Sequence, residues 1–434
     1  MKNIAIIGAG PMGLSLAYYL NKKGNCNCTV FERNSKAGGM SESFNFDGTT
    51  IEKYYHFINR PDDILFGLLD ELNLLQNLKW VNTKMGFFRY SPDDQKKGII
   101  YRWGTPLSLF AVRGISLLSK LRYALHVYSC KFLKDLSPLD KLSAKEWITK
   151  SEGKDGYQQF WSFLFDKKFF ELSDPLSAAW IASRIRRVAN SRDSILKESL
   201  GYLEGGTESF INSLLSDLYK HNGKLLCNEQ VIIVFKDDDN KITVKSENTQ
   251  QQFDKVFFTI PLQYISSIIK NLPEEYRNSI SKVNNIGCAC VLFRLDKALT
   301  DNFWLNVDMP QWDIPGVIEY SNLRPMKKTF VYVPFYMPKT HKNWELDDNA
   351  ILDKARNYLK QINKDAMDTE EAAKVFRYEY AQPVCQPDFL NILPKYETGI
   401  DNLYAADTSH SFPEDRSLNE SIRIAQELSK LADQ

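Results

Sequence analysis

Residues 4–13 read IAIIGAGPMG: four apolar residues running into Gly8, Gly10 and Gly13. A short apolar run that meets G-x-G-x-x-G predicts a buried parallel strand, a tight turn and a helix over 11–23. Leu14, Ala17 and Leu20 share one face of that helix, and Gly24 stops it. Residues 28–32, CTVFE, read as a second strand, and the right-handed crossover makes the two strands parallel. Gly8 permits the turn. Gly10 lets a pyrophosphate approach the backbone, and Gly13 lets helix pack close to strand. Pro11 and Met12 open the helix, whose free N–H groups and positive dipole end face the phosphates. Glu32 ends the second strand, where its carboxylate can accept both hydroxyls of an adenosine ribose and repel a 2′-phosphate, which disfavours NADP. The turn by itself leaves NAD and FAD both open.

The rest of the chain narrows the class. At 434 residues it is long for one core, so two domains, or one domain with a large insertion, are expected. A net charge of +1 gives no overall drive toward nucleic acid. Aromatic residues make up 13% of the chain, enough to line an apolar substrate cavity or simply to fill the core. Seven cysteines form no disulfide pattern and fit a reducing, cytoplasmic setting. Cys26–Cys28 and Cys288–Cys290 lack zinc-site spacing, so strand packing is expected and no metal site. Glycines interrupt the apolar N-terminus, unlike a signal peptide, and no run of 18 apolar residues reads as a transmembrane helix.

Further along, residues 62–76 predict a helix opened by Asp62 and Asp63, and 143–150 another with a Ser143/Glu146 capping box. Residues 107–134 read as one long amphipathic helix or a helical hairpin around Gly114. Residues 205–220, 350–363 and 417–432 read as helices. The pairs 229–235 and 241–246, then FDKVFFTI at 253–260, read as strands, and 283–340 is strand-rich. No linker is evident, so the second domain is expected to be inserted into the first.

A second glycine pair, Gly38 and Gly39, followed by Met40, comes six residues after Glu32. A bound nicotinamide does not need it; a longer ligand passing over that backbone would. In LYAADTSHSFPEDRSLNESIRIA, 403–425, Asp407 stands at a strand end, ready for a ribityl hydroxyl or for capping the turn. A helix follows near Ser417, and its N-terminus can stabilise charge on a reduced isoalloxazine.

These stretches, with YLEGGTESF (202–210), NEQVIIVF (228–235) and FDKVFFTIP, resemble the FAD-binding superfamily of amine oxidases, protoporphyrinogen oxidase, phytoene desaturases and UDP-galactopyranose mutase. YYHFINRPDDILFGLLDELNL (54–74), SAKEWI, SAAWIASRIRR and FPEDRSLNESIR are similar to a bacterial subgroup labelled protoporphyrinogen-oxidase-like, associated with cell-surface polysaccharide or lipid pathways. The resemblance implies an α/β fold: a Rossmann-like FAD-binding domain from residues 1–76, 201–262 and 391–434, with an inserted α+β substrate domain from 77–200 and 263–390. It implies non-covalent FAD, with contacts at Arg33, Met40 and Val231, and hydride transfer from a substrate to flavin. A mutase-like flavin isomerase acting on a nucleotide sugar, and a non-catalytic FAD- or NAD-binding protein, are the alternatives.

Several side chains stay open. His56 corresponds to a histidine near the flavin in related proteins, or it packs beside Tyr54 and Tyr55. Arg416 can meet the flavin end of the cofactor, or pair with Glu414 or Asp415. Arg184, Arg186, Arg187 and Arg192 can clamp an anionic substrate or form a solvated face. Residues 107–134 mix Arg113, Lys120, Arg122, Lys131 and Lys134 with Leu, Phe and Tyr. That composition suits a membrane-surface helix serving a lipid-linked substrate at the inner face of a membrane, or ordinary core packing. Ala406 and Glu420-Ser421 stand where the family places small residues near the flavin. Cys385 has no context for covalent flavin attachment.

Overall fold

The computed structural model describes residues 1–194, 197–237 and 239–433. Five parallel strands form one sheet, in the order Lys224–Leu226, Cys26–Phe31, Lys2–Ile7, Lys255–Phe258 and Leu403–Ala405. Side chains alternate between its faces. Ile4 and Ile6 face the helices Pro11–Lys22, Thr207–Lys220 and Leu418–Leu431. Ala5 and Ile7 face a three-stranded antiparallel sheet, Val231–Lys236, Ile242–Ser246 and Gln250–Phe253. With both faces covered, the central stretches Ile4–Ile7 and Val256–Phe258 are continuously apolar.

A seven-stranded mixed sheet forms the second half. Its order is Glu370–Pro383, Asn285–Leu295, Thr329–Met337, Gly316–Glu319, Trp304–Asp308, Met85–Ser91 and Asp94–Trp103. Alternation again divides its residues. Cys288, Cys290 and Tyr336 face the helical layer, whereas Ala289, Val291 and Phe335 face the helix Asp348–Ile362. The fold class is therefore a Rossmann-like α/β core with an α+β part inserted along the chain.

Local chemistry accounts for several boundaries. The Ser143/Glu146 capping box forms as expected. The predicted helix over 62–76 ends at Glu71, because Asn73 turns left-handed at φ 56°. The predicted strand 253–260 splits at Asp254: Phe253 ends the antiparallel sheet and Lys255 begins the parallel one, with the Asp254 carboxylate accepting the Asn3 N–H at 2.7 Å. Asp238, between the pair 229–235 and 241–246, lies outside the described residues. Of the two expectations for 107–134, the hairpin forms: helices Pro106–Ala111 and Leu117–Cys130, with Gly114 at φ 76° between them. Much of it is not core. Leu107, Leu117 and Leu125 are 77%, 64% and 68% exposed.

The closing helix packs on the parallel-sheet half through Leu428, which is fully buried against the first helix's layer. Leu428→Ala should cost about 2–5 kcal/mol, for lost transfer energy plus a cavity. Urea unfolding followed by far-UV circular dichroism measures the loss.

Candidate functional site

A cavity of about 1160 Å3 runs from the glycine turn into the inserted part. Gly8, Gly10, Pro11 and Met12 line its first end. The helix Pro11–Lys22 starts on Gly10 with no side-chain cap, so its first N–H groups face an external acceptor. A Cβ on Gly10 would meet Gly39 Cα at 4.0 Å, ordinary contact, so the protein leaves that space open. Gly13 is the reverse case. A Cβ there would collide with the Gly8 carbonyl oxygen and stand 2.7 Å from Thr259 Oγ1, so Gly13 serves close packing.

Glu32 is buried beside this turn. Its Oε2 accepts the Ala9 N–H at 3.0 Å and its Oε1 the Asn34 N–H at 2.9 Å. Two backbone donors thus fix the carboxylate and leave lone pairs for ribose hydroxyls. Arg33 stacks over Tyr264, 5.2 Å from its ring centre, at the exposed rim. Gly38 and Gly39 have φ 130° and 53°, and the Gly38 N–H donates to the Ala9 carbonyl at 2.8 Å. The second glycine pair therefore folds over the first turn. Gly39 and Met40 reach the cavity, as does Val231 from the antiparallel sheet. These residues fit a dinucleotide: uncapped donors, an open Gly10 and a fixed acidic acceptor meet in one wall.

Further along the wall, Asp407 caps its own turn. Its Oδ1 accepts the Ser409 N–H at 2.8 Å and its Oδ2 the Leu262 N–H at 3.1 Å. It also lines the cavity, so a ligand hydroxyl would be a third partner. The closing helix presents Ser417, Leu418 and Ser421 to the same space. Glu420 turns aside to Arg423, 2.6 Å away. Cys385 is buried away from the cavity wall.

His56 lines the cavity. Its Nδ1–H donates to the Tyr54 carbonyl at 2.8 Å, which leaves Nε2 as an acceptor 3.3 Å from the Ser41 hydroxyl. Burial lowers its pKa, so the ring is held neutral. Arg416 sends its guanidinium to neither neighbouring carboxylate. Nε donates to Gln382 Oε1 at 3.2 Å and Nη2 to the Tyr336 hydroxyl at 3.4 Å.

The arginine cluster divides. Arg184 pairs with Asp415 at 2.5 Å and Arg187 with Asp62 at 2.7 Å, and both line the cavity. Arg186 pairs with Glu414 at 2.6 Å and donates to the Leu133 carbonyl, outside the cavity wall. The side chain of Arg192 lies outside the described residues.

Sequence reasoning missed Lys168. It projects from helix Ser162–Phe169 into the cavity, where Nζ donates to Gln382 Oε1 at 3.2 Å. The rings of Phe169, Trp180 and Tyr336 surround it, 5.0–5.4 Å from centre to nitrogen. Burial, reinforced by Arg184 and Arg416 and opposed by Asp415, holds its pKa well below the usual lysine value. The aromatic density of 157–170 was the available signal.

Comparison with known proteins agrees with this geometry. The family model for flavin containing amine oxidoreductases matches residues 13–423. The chain belongs to the flavin-containing amine oxidoreductase family. This chain is accordingly an FAD-dependent oxidoreductase, with FAD held non-covalently as in its homologues. It is 23% identical to a 4,4'-diapophytoene desaturase of Staphylococcus haemolyticus, over 87% of this chain and 83% of that protein. It is 27% identical to protoporphyrinogen oxidase 2 of Arabidopsis thaliana, over 38% of this chain and 31% of that one. The fold is similar to an oxidoreductase from Methanosarcina mazei, with a TM-score of 0.76 at 16% identity over 99% of this chain and 100% of that one.

The open space at Gly10 gives a test. Gly10→Ala should fold normally yet retain FAD at least about tenfold more weakly, because the added methyl occupies the pyrophosphate's approach. Gly13→Ala should lose both FAD and thermal stability. Visible absorption of the purified variants, with melting curves, separates the two.

Proposed function

We propose that this flavoenzyme dehydrogenates an elongated, largely apolar substrate, lipid-linked and carrying an anionic end. The observation that carries it is the shape of the cavity beyond the cofactor cradle. Trp103, Tyr123, Trp161, Phe165, Trp180 and Trp304 line that stretch. It reaches a second mouth at Tyr128, Lys131 and Val188, which are both exposed and cavity-lining. Bound FAD supplies the hydride acceptor. The aromatic walls exclude water and align the substrate. Arg184, at the wall beside Trp180, and Lys131, at the mouth, offer positive charge to the anionic end. Lys168, with its pKa depressed, takes the proton on Nζ, and Gln382 fixes that nitrogen's position beside Arg416. His56 holds Ser41 and the turn after Gly39 rather than donating to the ligand.

In this reading residues 1–76, 201–262 and 391–434 carry the cofactor, and 77–200 with 263–390 carry the substrate. The setting is lipid or cell-surface polysaccharide synthesis in the cytoplasm, peripheral to the inner face of a membrane.

Anaerobic bleaching of the flavin by a substrate panel tests this. Long-chain amines and unsaturated lipid phosphates should bleach it, and putrescine should not; the opposite pattern overturns the proposal. With a bleaching substrate, the rate should rise with pH as Lys168 loses its proton. Lys168→Met should slow reduction by about 10²–10⁴-fold and flatten that limb, with FAD retained.

A further inference from the structure

We propose that helices Pro106–Ala111 and Leu117–Cys130 form a docking face for an anionic lipid bilayer, with the second mouth of the cavity opening beside it. The helix Leu117–Cys130 turns a second apolar row to solvent. Leu117, Leu118, Leu121, Leu125 and Tyr128 recur at helical spacing along its solvent side, and Phe132 continues the line. Leu107 and Phe110 extend the patch from the preceding helix. The inner side packs Tyr123, Ala124, Val127 and Cys130 on the core and is pinned by buried polar contacts: Lys120 Nζ donates to the Phe110 carbonyl at 3.0 Å and the Val112 carbonyl at 2.6 Å, and the His126 Nδ1–H donates to Glu152 at 2.6 Å. A contiguous apolar patch of this kind marks a contact surface.

Charge selects the partner. Between Asp94 and Asp135 the chain has no carboxylate side chain and eight Lys or Arg. Arg113, Arg122, Lys131 and Lys134 are exposed and form no salt bridge among the described residues. A second copy would set this basic rim against itself, and like charges repel. An anionic bilayer satisfies both features: lipid for the leucines and headgroups for the basic rim. No helix among the described residues is long and apolar enough to cross a membrane, so the pair lies in the interface plane. The cavity opens on the same element, since Ala124, Val127, Tyr128 and Lys131 line it. Docking stands on exposure and charge; use of the mouth as a substrate entrance rests on the apolar substrate proposed above.

The test is flotation of the FAD-loaded full chain with two kinds of vesicle: phosphatidylcholine alone, and phosphatidylcholine doped with phosphatidylglycerol. Binding to the doped vesicles should exceed binding to the neutral ones by at least about tenfold and fall with added salt. The double variant Leu118→Glu/Leu125→Glu should lose at least about tenfold in vesicle binding, with FAD content and melting midpoint unchanged. Absence of flotation overturns the proposal, as does flotation that the double variant does not weaken. A dimer by light scattering that the double variant splits would also overturn it, by assigning the face to a second copy. Vesicle binding needs no turnover. Failure of the bleaching panel with flotation intact would therefore remove the substrate assignment and leave the docking face standing.

Discussion

Helix Pro11–Lys22 lies closer to the strands beside it than any side chain at position 13 would permit. The Gly8 carbonyl and Thr259 Oγ1 occupy the space a Cβ would need. That approach sets the rest of the cofactor half. It brings the uncapped helix start to the cavity and places Ala9 where its N–H reaches Glu32 and its carbonyl receives Gly38. Two glycine turns and one carboxylate become a single rigid wall. Thr259 adds the strand Lys255–Phe258 to the arrangement by donating from Oγ1 to the Ile7 and Gly8 carbonyls, 3.1 Å each. A ligand bound there meets groups already in place, so little ordering remains to oppose binding.

The inserted part is locked to this wall by charge. Arg184, Arg186 and Arg187 all lie on helix Ala178–Asn190, yet each meets a different carboxylate: Asp415, Glu414 and Asp62. Two of those acids belong to the segment between Asp407 and the closing helix. Arg416, one residue on, is thereby free of its acidic neighbours and turns to Gln382 and Tyr336 on the seven-stranded sheet. Opposite charges hold Asp415 well below the usual carboxylate range despite burial. Truncating one partner would strand a buried charge, a larger loss than the pair's own contribution.

Local patterns were legible in the sequence. The glycine turn, the Ser143/Glu146 box and the Gly114 break each depend on residues within a few positions of one another. What the sequence left open depends on distance along the chain. Arg184 and Asp415 are 231 residues apart, and nothing near either one names the other. Lys168 looks like a solvated lysine until the sheet brings Tyr336 and Gln382 around it. The second glycine pair pointed to a longer ligand, but its left-handed backbone also has a purely local reason, the fold-over onto Ala9. The regular apolar spacing of 117–132 shows a helix with one greasy side. It carries no sign of which way that side faces.

The orientation of that helix is the feature that water alone does not explain. A fully exposed leucine forgoes about 1.5–3 kcal/mol of burial, and Leu117 and Leu125, 64% and 68% exposed, each forgo a large part of it. Rotating the helix would recover that energy, yet its inner side is committed. Lys120 satisfies two carbonyls at the end of the preceding helix, and His126 donates to a Glu152 carboxylate that also receives Trp161 Nε1 at 3.0 and 3.1 Å. Turning the helix over would unpair those buried groups, at about 1–3 kcal/mol each or more for a charged one. These buried polar contacts therefore fix the leucines outward. Because Trp161 and Val127 also line the cavity, the same contacts connect the outward face to the substrate space. An outer medium of hydrocarbon rather than water removes the cost of this arrangement, since the leucines are then buried and the inner polar groups remain paired.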